Sequence, residues 1–280
     1  EASYGDFVME LEVKVEVGLN SGIQIRSLSD PAVMNGRVHG YQVEIDPAER
    51  AWSGGLYDEA RNGWLYPLSI NPRGQKAFKN GQWNKYHIEA IGPSLKTWIN
   101  GIPCANVLDN QTARGFIALQ VHAIKREDQN GLTVQWRDIR IATENLGAYT
   151  WKGDEEAPEV NYLPNQLSEL EKRTGWRLLW DGKSTSGWRK FNTDAFPQQG
   201  WAIEDGLLKV LSSHQDSTSK GGDLISNESF SNFELELDFK ITKGANSGVK
   251  YFVQEDRKSK ATAGLGPEFQ VLDDQNHADA

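Results

Sequence analysis

Apolar and polar residues alternate with a period of two through about the first 140 positions of the chain. Leu11, Val13 and Val15 interleave with Glu12, Lys14 and Glu16, and Ile23 and Ile25 with Gln24 and Arg26. Tyr41, Val43 and Ile45 interleave with Gln42, Glu44 and Asp46, and Tyr86 and Ile88 with His87 and Glu89. That period places successive side chains on opposite faces of an extended strand, as in antiparallel sheets buried on one side. Further runs over 97–99, 116–122 and 134–141 read as strands. Asn35-Gly36, Asn62-Gly63, Asn80-Gly81, Asn100-Gly101 and Asn130-Gly131 punctuate them, a dipeptide suited to tight turns. The pattern predicts an all-β sandwich. It lapses over 146–163, where Gly147, Asp154-Glu155-Glu156 and Pro158 read as a linker. Leu163, Leu167 and Leu170 are then spaced for a short helix over 164–174, closed by Gly175. Strands resume at 177–180, at 201–203 and 207–211 around the turn Asp205-Gly206, and at 233–241.

One segment is written twice. Tyr4-Gly5-Asp6-Phe7, Leu11, Gly18 and Asn20-Ser21-Gly22 return 226 positions later as Phe230-Ser231-Asn232-Phe233, Leu237, Gly244 and Asn246-Ser247-Gly248. After an insertion of two residues, Tyr41-Gln42-Val43 and Asp46 match Phe269-Gln270-Val271 and Asp274. A period far above the ~20–50 residues of solenoid units means that each copy is a domain. The domains predicted are a first copy over 1–145, lacking its N-terminal part, and a second over 164–280, comprising only its N-terminal part. The chain therefore reads as a window on a longer protein, or as one whose missing strands come from elsewhere.

Alternation also assigns faces. With Ile23, Ile25, Val43, Ile45, Leu119 and Val121 in the core, Gln24, Arg26, Gln42, Glu44, Asp46, Gln120 and His122 point out of it. On neighbouring strands these would form a hydrogen-bonding face suited to a carbohydrate; on scattered strands they would be a solvated surface. The segment Arg50-Ala51-Trp52-Ser53-Gly54-Gly55-Leu56-Tyr57-Asp58-Glu59-Ala60-Arg61-Asn62-Gly63-Trp64-Leu65 does not alternate and reads as a functional loop. Trp52, Tyr57, Asp58, Glu59, Arg61 and Trp64 are its candidate binding groups. Glu44 and Asp46 emerge on one face, with alpha-carbons about 6.5–7 Å apart, and such pairing raises the pKa of one member. The letters Glu44-Ile45-Asp46-Pro47-Ala48-Glu49 match the Glu-x-Asp-x-x-Glu pattern of family 16 glycoside hydrolases. Pro47 takes Glu49 off the ladder, however, out of reach of the ~5–5.5 Å carboxylate spacing that retaining hydrolysis needs. His122 is the best general base by side-chain type. The second copy has Leu272 where the first has Glu44.

Composition narrows the classes. A net charge of −9 without a block of Lys or Arg argues against a nucleic-acid partner, and no apolar run approaches a membrane span. Cys104 is the single cysteine, which excludes an intramolecular disulfide and a thiolate metal cluster. No histidine spacing fits zinc, so neither metal nor cofactor is expected; Asp273-Asp274 offers only a weak oxygen site for calcium. There is no serine nucleophile elbow. The ten tryptophans fit β-cores first and sugar-stacking surfaces second.

With these residues in view, the chain resembles the 3-keto-disaccharide hydrolase domain family. In the first copy the resemblance spans nearly all of 4–142, through Asn20-Ser21-Gly22-Ile23, Gly40-Tyr41-Gln42-Val43-Glu44-Ile45-Asp46, Ser53-Gly54-Gly55-Leu56-Tyr57-Asp58-Glu59, Gly81-Gln82-Trp83-Asn84, Trp98-Ile99-Asn100-Gly101 and Gly115-Phe116-Ile117-Ala118-Leu119-Gln120-Val121-His122. In the second copy it runs through Leu179-Trp180-Asp181-Gly182-Lys183, Gly221-Gly222-Asp223-Leu224 and Gly266-Pro267-Glu268-Phe269-Gln270-Val271-Leu272-Asp273-Asp274. The resemblance implies a concanavalin A-like jelly roll, a secreted, periplasmic or cell-surface location, and cleavage of glycosides oxidised at C3. Such a reaction needs a base for the C2 proton, an acid at the leaving oxygen and donors for an enolate at O3. On that footing His122 is the base, Glu44 or Asp58 the acid, and Arg26 with Tyr57 stabilises the enolate. Gln24, Gln42, Asp46, Trp52, Glu59, Arg61, Trp64 and Gln120 bind the sugar. The alternatives are a non-catalytic carbohydrate-binding module, a structural surface module, or a hydrolase of unoxidised sugars using Glu44 and Asp46.

Overall fold

The structure, a computed structural model, describes residues 2–124, 126–153, 156–211, 221–258 and 264–279. It forms two compact units, one of Glu1–Leu163 with Leu167–Trp176, the other of Pro164–Gln166 with Arg177–Ala280.

The first unit holds β1 (Phe7–Val15), β2 (Ser21–Leu28), β3 (His39–Ile45), β4 (Leu56–Glu59), β5 (Gly63–Tyr66), β6 (Asn84–Ile91), β7 (Ser94–Ile99), β8 (Ile102–Leu108), β9 (Phe116–Leu119), β10 (Val134–Ala142) and β11 (Val160–Asn161). They make two sheets, in the orders β10-β1-β6-β7-β8-β11 and β5-β4-β3-β2-β9. Pairing is antiparallel except between β11 and β8. The period of two becomes the core: Phe7, Met9, Leu11, Val13 and Val15 of β1 and Tyr86, Ile88 and Ala90 of β6 meet Ile23, Ile25, Tyr41, Val43 and Ile45 from the other sheet. This is the all-β sandwich that the alternation predicts, of the jelly-roll kind that the resemblance implies. Asn100 and Gly101, with φ of 52° and 79°, turn β7 into β8 as an Asn-Gly hairpin should. Cys104 lies wholly inside, where burial pushes its thiol up to about 12, so it is inert as a nucleophile.

Three departures from simple alternation matter for function. In β2 the pairing with both β3 and β9 is interrupted by a bulge just after Ile25, and Arg26 sits there with φ 45°. A bulge resets parity, so Arg26 no longer shares a face with Gln24. Next, β9 ends at Leu119, and the last backbone hydrogen bond to β2 is Gln120 N donating to Gly22 O at 2.8 Å. Val121, expected in the core, is consequently 95% exposed. Finally, much of 50–65 is not loop but the hairpin β4–β5, which widens the second sheet. Gly54, at φ +88°, permits this entry because any Cβ there would lie 2.9 Å from the Cβ of Cys104.

Residues read as linker are partly a strap on the first unit. Tyr66 Oη donates to Pro158 O at 2.9 Å, Tyr162 Oη to Leu65 O at 2.8 Å, and Ala157 joins the core. Asp154 and Glu155 lie outside the described residues. The helix is α1 (Glu169–Thr174), shorter than the predicted 164–174. Ser168 caps it reciprocally with Glu171, which fixes the start later, and Gly175 ends it at φ 98°.

The second unit carries β12 (Trp188–Lys190), β13 (Trp201–Glu204), β14 (Leu207–Val210), β15 (Leu224–Ser226), β16 (Asn246–Lys250) and β17 (Glu268–Leu272), in the pairs β12-β15, β13-β14 and β16-β17. The expected strands at 177–180 and 233–241 are absent. Phe233, Leu235, Leu237 and Phe239 alternate as a strand would, yet they are exposed and find no ladder partner among the described residues. The hairpin β16–β17 repeats the antiparallel pairing of β2 with β3, but Gly22 faces Glu44 whereas Gly248 faces Gln270. The positions equivalent by sequence are thus shifted by two, a slip that keeps every side chain on its face.

Candidate functional site

β2 and β3 are buried on both sides. Their outward residues Gln24, Gln42 and Glu44 are only 3–4% exposed, far from a solvated surface. The reason is that these side chains lie across the sheet and bond to one another. Ser27 Oγ donates to Gln24 Oε1 at 2.7 Å, Gln24 Nε2 to Gln42 Oε1 at 2.6 Å, and Gln42 Nε2 to Glu44 Oε2 at 2.9 Å. From the other side Asn20 Nδ2 donates to Glu44 Oε1 at 2.8 Å. Gly22 makes room for this chain, since a Cβ at that position would stand 2.5 Å from Gln42 Cδ. Every donor in it points toward the Glu44 carboxylate, an arrangement in which the bonds polarise one another.

Burial nonetheless wins over these donors. It raises the pKa of Glu44, aided by the negative charge of Asp46, while the hydrogen bonds from Asn20 and Gln42 and the charge of Arg50 pull the other way. The carboxyl therefore keeps its proton to higher pH than an ordinary glutamate, which is the property of a general acid. Arg50 is fixed in turn: its Nε donates to Asp46, and its Nη2 lies 3.7 Å from Glu44. Its guanidinium sits 4.7 Å from the ring centre of Trp52 and 5.1 Å from that of Trp64. Trp64 packs edge-on against Trp52 at 4.7 Å and Tyr57 at 5.1 Å, making an aromatic wall.

These groups surround a cavity of about 490 Å³ lined by Asn20, Gln42, Glu44, Asp46, Ala48, Arg50, Tyr57, Glu59, Trp64, Gln120 and His122. Of the residues that the sequence singled out, the structure brings together Gln42, Glu44, Asp46, Tyr57, Glu59, Trp64, Gln120 and His122. Gln24 and Trp52 stand one layer behind, holding Gln42 and Trp64. His122 is exposed, with Nδ1 3.3 Å from Ala123 O, and Gln120 Oε1 is buried without a partner among the described residues. Glu49 lies beyond the end of β3, exposed, and does not line this cavity.

Arg26, Asp58 and Arg61 lie elsewhere. Arg26 is 1% exposed and donates through Nε to Gly5 O at 2.8 Å, Nη1 to Gly92 O at 2.7 Å and Nη2 to Asp6 at 2.9 Å. It clamps the edge between the sheets and cannot reach an enolate in the cavity; the bulge is the cause. Asp58 pairs across β3–β4 with the core residue Tyr41, so it faces the opposite side from Tyr57. Its carboxylate is wholly buried, accepting from Arg61 Nε at 2.8 Å and from Asn62 N at 3.1 Å. Arg61 also donates to Thr112 and covers the Tyr41 ring at 5.1 Å. The pair staples the β4–β5 turn, and Asp58 does not line the cavity. In the second unit Asp273 is spent on its own turn, accepting from Gly244 N at 2.7 Å and Gln275 N at 3.1 Å.

Asn20 and Arg50 were missed as site residues. Asn20 had a signal, being one of the positions shared by both copies as Asn246; Arg50 had only its place in the polar segment.

Residues 1–142 and 175–280 match the description of the 3-keto-alpha-glucoside-1,2-lyase-like domain. The chain belongs to this family. A 3-keto-disaccharide hydrolase of Bacteroides thetaiotaomicron is 42% identical to it over 117 residues, covering 38% of this chain and 40% of that relative. The chain thus spans well under half the length of that curated relative. Among solved structures, a candidate glycosyl hydrolase of Parabacteroides distasonis aligns at 18% identity over 51% of this chain and 80% of its own, with a TM-score of 0.37. The carbohydrate-binding module CBM66 of Bacillus subtilis aligns at 16% identity over 50% and 77%, with a TM-score of 0.34. No helix among the described residues of this family member is long and apolar enough to cross a membrane.

Proposed function

We propose that the first unit is a carbohydrate-active enzyme that cleaves glycosides already oxidised at C3, acting outside the cytoplasm. The observation that carries this reading is the shared cavity, which places a buried glutamic acid with a raised pKa and an exposed histidine on the walls of one polar pocket beside an aromatic wall. A ketone at C3 acidifies the C2 proton. His122 removes it, and the electron pair forms an enolate whose charge rests on O3, within reach of donors such as Tyr57 and Gln120. Collapse of the enolate breaks the bond from C1 to the leaving oxygen, which takes its proton from Glu44. Water then adds across the resulting enone, giving the free 3-keto sugar and an alcohol. The duplication read from the sequence belongs to the same proposal: Leu272 replaces Glu44 in the second copy, so the chemistry is assigned to the first.

The test is to incubate the protein with a 3-keto-disaccharide and with its unoxidised parent. Turnover of the keto form alone is expected, and His122→Asn should lower it by about a hundredfold. Its melting temperature should stay unchanged, because His122 is exposed and its ring bonds, among the described residues, to the adjacent Ala123 carbonyl. Turnover of the parent alone would reject the mechanism, and affinity without turnover would favour a binding module.

A further inference from the structure

Beside the polar cavity lies a second and larger one of about 800 Å³, and the two share Asn20, Asp46, Ala48 and His122 as walls. Its size falls in the range of small-molecule sites, ~300–1,000 Å³. Its character differs from that of its neighbour. Val17, Leu19, Pro47, Ala51, Phe78 and Ala123 supply apolar surface. Three amides also line it, each with one N–H already committed: Gln75 Nε2 to Arg50 O at 3.0 Å, Asn80 Nδ2 to Pro47 O at 3.0 Å, and Gln129 Nε2 to Gly18 O at 2.7 Å. A second sugar entering here would set much of its hydroxyl-bearing surface against these apolar walls and lose hydrogen bonds to water there, which is costly for so polar a group.

We propose that this second cavity receives the leaving group, and that the leaving group is an apolar aglycone of aryl size rather than another sugar. This assignment rests on reading the polar cavity as the sugar site. The shared residues stand where the bond between sugar and aglycone would lie, so His122 and Asp46 mark the junction. Glu49, also on the wall, disfavours an anionic aglycone.

Binding of unoxidised phenyl and methyl glucosides of one anomer, and of a disaccharide of the same sugar, tests the assignment by calorimetry without needing turnover. The phenyl glucoside should bind about tenfold more tightly than either of the others, the order that a small apolar group adds in a fitted pocket. Val17→Asp should remove that advantage and leave the methyl glucoside unaffected; Val17 is 64% exposed, so the variant should fold. A disaccharide that binds as tightly as the phenyl glucoside overturns the proposal, as does an equal loss for both monoglucosides in the variant or no binding of any of them. Turnover of the corresponding 3-keto forms, measured alongside, separates the two readings. Phenyl preference without turnover rejects the chemistry but keeps the aglycone cavity, whereas turnover without phenyl preference does the reverse.

Discussion

Glu44→Gln is expected to lower turnover of a 3-keto-glycoside about a thousandfold, within the range general acid catalysis supplies. The loss should be largest for alkoxide leaving groups, which depart poorly without a proton. The pH profile gives the same residue a second signature. Because burial raises its pKa above the ordinary 4.5, the protonated form needed for catalysis persists past the usual carboxylate range, and activity falls as pH rises through the shifted value. Stability follows the same sign. A carboxyl whose folded pKa is raised contributes stability that is fully present below its unfolded pKa and is lost as pH rises through the folded one. In the Gln variant the limb in rate and this component of stability should both disappear. Retention of the limb would assign it to another group and remove Glu44 from the acid role.

Arg26→Ala is expected to produce the largest loss of stability, about 3 kcal/mol, from losing a fully buried side chain and its hydrogen bonds, while the half-exposed Asp6 is left to solvent. The variant strands the carbonyls of Gly5 and Gly92 and leaves a space where a guanidinium stood. Removal of a buried charge offsets part of this, since desolvation of Arg26 is relieved. One-sided truncation still wins, because two of the three acceptors are backbone atoms that cannot move away. In thermal unfolding the loss corresponds to a melting point lower by roughly 6–12 °C. Turnover by the remaining folded protein should be unchanged, as the clamp touches no wall of the cavity. A full melting temperature with lost turnover would return Arg26 to the site.

Those two arginine and glutamate outcomes also mark what the sequence could and could not convey. Strict alternation placed Gln42, Glu44 and Ile45 correctly, because an uninterrupted strand allows each residue only one of two faces. The same rule failed at Arg26, where a bulge inserts a residue and reverses parity, and at Val121, where the strand has already left the sheet. His122 reaches the cavity all the same, but as part of the segment beyond β9 and not by strand parity. Asp58 and Tyr57 show the rule working within a segment mistaken for loop: once β4 pairs with β3, neighbours must part to opposite faces. Arg50 was invisible to periodicity, since its position depends on the Trp52 and Trp64 rings that hold it and on carboxylates four and six positions earlier. The flat hydrogen-bonded chain from Ser27 to Glu44 was also illegible. Alternation says that a side chain faces outward, not whether its neighbours will cover it.

The central claim is that the cavity of Glu44 and His122 removes a proton from C2 of a C3-oxidised sugar. The most direct measurement compares turnover of a 3-keto-glycoside carrying deuterium at C2 with that of its protium form. A primary isotope effect well above unity is predicted in the wild-type protein, with the deuterium released to solvent. Equal rates, with the C2 label retained in the free sugar, would contradict the account.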